Sequence, residues 1–114
     1  MTRSAEALPF IRSAGNPILT VASLPYPANS VFNPGAARVG DETILLARVE
    51  DMRGISHLHV ARSTDGEGDW RWDPDVLLRS DVERHPEEIW GCEDPRLTWL
   101  PERDEWAIAY TAYS

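Results

Sequence analysis

Cysteine is nearly missing from this sequence: Cys92 stands alone, so no internal disulfide can staple the fold, and the chain suits a reducing compartment. A lone cysteine of this kind is most simply a small buried apolar side chain. Basic charge is scarce as well. Eleven Lys and Arg face 19 Asp and Glu, giving a net charge of −8 and a pI near 4.7. That balance argues against a nucleic-acid partner, which needs a basic footprint. Long apolar runs are absent: no window could span a bilayer, and Met1 to Arg12 has no sustained apolar core of the signal-peptide kind. The expectation is a cytoplasmic protein with no membrane partner. No segment carries a persuasive helical period, although Asp81 to Ile89 has room for one turn of helix.

What is there suits one soluble globular unit, with 42% hydrophobic and 26% charged residues in 114. Pro17 to Val21 is the first strand candidate. A proline-rich stretch from Leu24 to Pro34 follows, where Pro25, Pro27 and Pro34 with Asn29 and Asn33 preclude a helix. Ala36 to Val39, a turn at Gly40-Asp41-Glu42 and Thr43 to Val49 read as a β-hairpin. His57 to Arg62 alternates as a strand, with Leu58 and Val60 on one side and His57, His59 and Ala61 on the other. A fourth strand falls within Trp70 to Leu78. After the polar segment Arg79 to Glu88 come strands at Arg96 to Leu100 and Glu105 to Tyr113, joined by a turn at Pro101 to Asp104. The expectation is all-β.

Asn33-Pro34-Gly35-Ala36, a turn with Asp41, then Ile44 to Arg48 matches Asp94-Pro95-Arg96-Leu97, a turn with Asp104, then Trp106 to Tyr110. A repeat of that size with about four short strands is the signature of a β-propeller blade. Chance similarity of two hairpins fits the few identities too. On the repeat reading the chain divides into an N-terminal strand and loop segment over 1–34, a first blade over 35–80 and the start of a second over 90–114. One and a half blades leave an open edge, so the expectation is a fragment of a longer chain, of roughly 300 residues if about five such repeats were present.

The chemistry is expected in Trp90 to Trp99, where Glu93, Asp94, Pro95 and Arg96 precede an apolar strand. Pro95 is expected to hold Asp94 extended, so that a stiff backbone presents the carboxylate, with Arg96 on the same side and Glu93 on the other. A surface ion pair at a loop-to-strand junction explains the same residues. Arg48, Glu50, Asp51, Arg53, Ser56 and His57 form a second polar cluster, suited either to gripping vicinal sugar hydroxyls or to a solvated turn. His57 and His59 share a strand face, but no third ligand has suitable spacing and no metal is expected. Of five tryptophans, Trp90 beside the acidic pair is the candidate pocket lining, whereas Trp99 and Trp106 read as structural.

Taken in order, Asn33-Pro34-Gly35-Ala36, Ala47 to Asp51, Gly54 to Leu58, Ala61 to Gly66 and Glu93-Asp94-Pro95-Arg96 resemble glycoside hydrolase family 130 from about Asn16 onward. The resemblance implies a five-bladed β-propeller acting on β-mannosides, by phosphorolysis with inversion to α-mannose 1-phosphate or, in some members, by hydrolysis. It implies Asp94 as the catalytic general acid, acting through a hydroxyl of the bound mannose. Arg48, Asp51 and Ser56 would hold the sugar, and Asn33 would line the same pocket. Glu93 and Arg96 join them as expected substrate contacts, Arg96 as a local anion contact. No cofactor is implied beyond inorganic phosphate as co-substrate, whose basic ligands would lie in later blades. The partners implied are a β-linked mannoside or mannooligosaccharide and phosphate, and homo-oligomerisation of the full-length protein stays open. A non-catalytic carbohydrate-binding module, or an inactive fragment, is the remaining alternative.

Overall fold

The computed structural model describes residues 9–114. Its strands are β1 (Ser30–Val39), β2 (Glu42–Glu50), β3 (Ser56–Ser63), β4 (Arg71–Trp72), β5 (Gly91–Leu100) and β6 (Glu105–Tyr113), with short 3-10 turns at Val21–Ser23 and Pro86–Glu88. The all-β expectation holds. The strands form one open sheet in the order β1-β2-β3-β5-β6, with β4 paired to β3, and the sheet does not close on itself.

Two antiparallel units make up this sheet. In the first, a tight turn joins Val39 to its partner Glu42, and Gly40 supplies the positive φ of +60° that such hairpin turns require. In the second, the four-residue turn from Pro101 to Asp104 joins the paired Leu100 and Glu105. A single parallel bridge, Ser56 to Gly91, links the units. Gly91 has φ +120°, and a Cβ there would lie 2.5 Å from the Ser56 nitrogen. Only glycine lets the strands meet at this point.

The repeat is carried by the backbone. β1 and β5 start 61 positions apart, at Ser30 and Gly91, and β2 and β6 start 63 apart, at Glu42 and Glu105. Both first strands slip register at their proline, between Val31 and Pro34 in β1 and between Glu93 and Arg96 in β5. Proline has no N–H for the ladder, so a bulge is where a strand tolerates it. The bulges lie against each other: a Cβ on Gly35 would sit 2.7 Å from the Pro95 carbonyl oxygen.

Between the units lies the core, where Ile44, Leu46, Leu58, Val60 and Cys92 are buried with Leu78, Leu97 and Ile108 packed against them. The opposite face of β3 carries His57, His59 and Ala61, also buried. Tyr26 covers the histidines. His59 Nε2 lies 2.6 Å from the Asp73 carbonyl oxygen, which only accepts, so this nitrogen donates. His59 Nδ1 then accepts from the Tyr26 hydroxyl at 2.7 Å, leaving the hydroxyl to accept from His57 Nε2 at 2.9 Å. No fully buried side-chain nitrogen or oxygen among the described residues lacks a partner, which is what allows two histidines into the interior.

Three local expectations are corrected. Pro17 to Val21 is not a strand but bends into a 3-10 turn, and Ile18 and Leu19 line a cavity over Val31, Leu45 and Ala47 on the sheet face instead of pairing at its edge. β1 starts at Ser30 rather than Ala36, since the bulge carries Pro34 inside the strand. Asp94 is not extended: its φ is +50°. Pro95 disfavours the right-handed α region for the residue before it, and aspartate tolerates the left-handed one that the bulge demands. The fourth strand does fall within Trp70 to Leu78, as the two residues of β4.

Candidate active site

The N-terminal ends of β1, β3 and β5 and the C-terminal end of β2 share one end of the sheet, where Ser30 pairs with Glu50, Glu50 with Ser56, and Ser56 with Gly91. Most of the expected site residues gather there. Asn33 Nδ2 donates to Asp94 Oδ1 at 3.1 Å, so the two equivalent bulge positions meet directly. The Asp94 residue is exposed. Its left-handed backbone is a strained conformation for any side chain except glycine, costing about 1–3 kcal/mol, and such strain clusters at functional sites.

Arg48 organises the second half of the cluster. Its Nε donates to Ser56 Oγ at 2.8 Å. NH2 lies 2.6 Å from Glu93 Oε1 and 3.8 Å from Glu50 Oε2. The Phe32 ring lies beneath the guanidinium, with its centroid 4.5 Å from Cζ. Glu50 is itself held by Asn29 Nδ2 at 2.6 Å. With both partners mostly shielded from solvent, the Arg48–Glu93 contact is an ion pair between β2 and β5 rather than a loose surface contact.

Asp51 takes a different part. Its Oδ1 accepts from the Arg53 and Ile55 backbone nitrogens at 2.8 and 3.2 Å, and Oδ2 pairs with the Arg53 guanidinium at 2.7 Å. Burial alone would raise this carboxyl, but the Arg53 side chain and the two N–H groups outweigh it and hold it below the ordinary value. Asp51 therefore shapes the β2–β3 turn at the rim of the cluster. Arg96 is exposed and makes no side-chain ion pair among the described residues. Trp90 is also exposed, at 53%.

Four carboxylates (Glu50, Asp51, Glu93 and Asp94) and two guanidiniums (Arg48 and Arg53) thus share this end of the sheet. A surplus of acceptors around a tied guanidinium suits a neutral ligand with many hydroxyls, whose O–H groups donate to carboxylates and whose oxygens accept from arginine. No group of three or more His, Cys, Asp or Glu among the described residues could hold a metal ion.

The described chain aligns with the crystal structure of a Parabacteroides distasonis protein provisionally described as a glycoside hydrolase, at a TM-score of 0.72 and 23% identity over 90% of this chain. It also aligns with a glycosyl hydrolase from Bacteroides ovatus, at a TM-score of 0.58 and 26% identity over 76% of this chain. The fold is shared. The chain spans 34% and 29% of these two proteins, about a third of their length. No family model matches the sequence, and no curated protein matches it.

Sequence reasoning missed Phe32 and Asn29 as parts of the cluster. Phe32 directly precedes Asn33, so adjacency to a candidate residue was the available signal. Trp99 and Trp106 lie at the far end of the sheet, ring centroids 5.4 Å apart, beside Arg38, Val39 and Gly40.

Glu88 and Cys92 behave as structure. Glu88 is buried, accepting from the Tyr110 hydroxyl and, at 2.7 Å, from the Asp81 nitrogen. These bonds outweigh its burial and hold the carboxyl below its ordinary value. Burial, with Glu88 nearby, pushes the Cys92 thiol up to about 12, so it is no nucleophile at neutral pH.

Proposed function

We propose that this chain contributes part of the active site of a carbohydrate-active enzyme of the family 130 type, built on a five-bladed β-propeller and cleaving β-mannosides. In this reading Asp94 is the general acid for the leaving oxygen, Arg48 and Asn33 hold the mannose unit, and the fully buried Ser56 holds Arg48 in place. The observation that carries it is the double meeting across the seam between the two hairpin units, Asn33 with Asp94 and Arg48, itself held by Ser56, with Glu93. An exposed carboxylate thereby shares one end of the sheet with a guanidinium and an amide, the mixture of donors and acceptors that a sugar ring requires.

Phosphate is the proposed nucleophile. As an anion it needs no strong base, so an inverting displacement asks the protein for a single placed acid. Its release product is α-mannose 1-phosphate. Hydrolysis is a second reading, supported by the names of the two structural neighbours, and would require a further carboxylate to activate water. A cytoplasmic location belongs to the same proposal.

The test is to incubate the product of the complete reading frame with an aryl β-mannoside, with and without phosphate. Phosphate-dependent mannose 1-phosphate supports the first reading, and phosphate-independent mannose the second. No cleavage in either condition, or full activity in Asp94→Asn, refutes both.

A further inference from the structure

Arginine carries five N–H donors in a rigid fork, and its direction decides what it can bind. In Arg48, Nε is committed to Ser56 on β3 and NH2 to Glu93 on β5, with Glu50 on its own strand nearby. The guanidinium plane rests on Phe32 of β1. NH1 donates no hydrogen bond to another described residue. Four strands thus immobilise one guanidinium and leave one of its nitrogens uncommitted. A surface arginine would lose rotamer entropy to reach this state on binding, so fixing it beforehand favours the ligand.

We propose that Glu93 is a positioning residue for Arg48 rather than a ligand of the sugar: it anchors NH2 while Phe32 supports the plane, leaving NH1 to donate to a hydroxyl oxygen. The proposal rests on the carbohydrate reading above for the identity of the ligand, but not for the anchoring itself. It gives Phe32 a task that adjacency to Asn33 does not supply. It also distinguishes the two acids of the Glu93-Asp94 pair, one orienting a guanidinium and the other facing solvent beside Asn33. Glu93 Oε2 has no partner among the described residues, so a direct contact with the sugar is the competing assignment.

Guanidinium nitrogen and proton NMR of the product of the complete reading frame separates them, with methyl β-mannoside as the probe. The wild-type protein is expected to show distinct Arg48 Nε and Nη signals, because a clamped guanidinium rotates slowly. In Glu93→Gln the Nη signals should collapse to an average, and the Kd for methyl β-mannoside should rise about tenfold, the loss of one charge-assisted bond. Phe32→Leu, which keeps both ion-pair partners, should broaden the same signals while the backbone amide spectrum stays dispersed. Arg48 signals unchanged in Glu93→Gln overturn the proposal, and a lowered affinity alongside them assigns Glu93 to the sugar. Unchanged signals in Phe32→Leu overturn the part given to Phe32. Collapse in Glu93→Gln with no mannoside binding by the wild type upholds the anchoring and refutes the carbohydrate reading instead.

Discussion

Replacing Gly91 by alanine tests how the two units are joined. The added Cβ would lie 2.5 Å from the Ser56 nitrogen and 2.7 Å from its oxygen, inside van der Waals contact with backbone that cannot rotate away. At φ +120° a side chain also occupies glycine-only territory, costing about 1–3 kcal/mol. Forcing the strands apart adds about 1–3 kcal/mol of overpacking. Together the loss is about 4 kcal/mol, a large share of the ~5–15 kcal/mol that holds a domain together. With a urea m-value of about 2 kcal/mol/M, the unfolding midpoint should fall by about 2 M. Gly40→Ala is the control: its φ is +60° but no atom lies within 4 Å of the added Cβ, so only about 1 kcal/mol of conformational strain is expected. Urea titrations followed by tryptophan fluorescence compare the two. Equal midpoints for Gly91→Ala and Gly40→Ala would refute the close Ser56–Gly91 approach and the seam built on it.

Acid stability should depend on His57. Burial first, then the Arg79 and His59 charges, depress its folded value to about 4, with Arg53 opposing protonation and Asp51 favouring it. The unfolded chain therefore takes up the proton first: stability is full above about pH 6.5 and is lost as pH falls towards 4, by up to about 3 kcal/mol. His57→Phe should flatten that part of the pH profile in denaturant titrations, and an unchanged slope would count against it. The Cys92 thiol, fully buried, should resist an aromatic disulfide reagent in the native protein and react at once in urea; rapid native labelling would contradict its burial. Tyr110→Phe removes the hydroxyl from buried Glu88 and should cost about 1–3 kcal/mol by thermal or urea unfolding, whereas a neutral effect would mean that water replaces the hydroxyl.

The pairing of Asn33-Pro34 with Asp94-Pro95 could be read from the sequence because both are local signals, a proline beside a polar residue ahead of an alternating run. The conformation they produce could not. The residue before proline is pushed from the right-handed helix, and whether it goes extended or left-handed depends on the facing bulge at Gly35, 59 positions away in the chain. Pro17 to Val21 shows a similar limit: apolar residues that lie across a sheet and those that pair at its edge look alike in sequence. Alternation in β3 correctly separated Leu58 and Val60 from His57 and His59, but nothing local announced that Tyr26 would bring a hydroxyl to both rings. Arg48 was singled out for its type and neighbours, while its anchors Glu93 and Phe32 come from other strands and are set by tertiary packing alone.

The most direct measurement is a crystal structure of the protein soaked with a β-mannoside. The account predicts the mannose ring at the seam, within hydrogen-bond reach of Arg48 NH1 and Asn33, with Asp94 facing the glycosidic oxygen directly or through one sugar hydroxyl. A sugar seated elsewhere, such as against Trp99 and Trp106 at the far end of the sheet, with the Asn33–Asp94 and Arg48–Glu93 cluster empty, would contradict it.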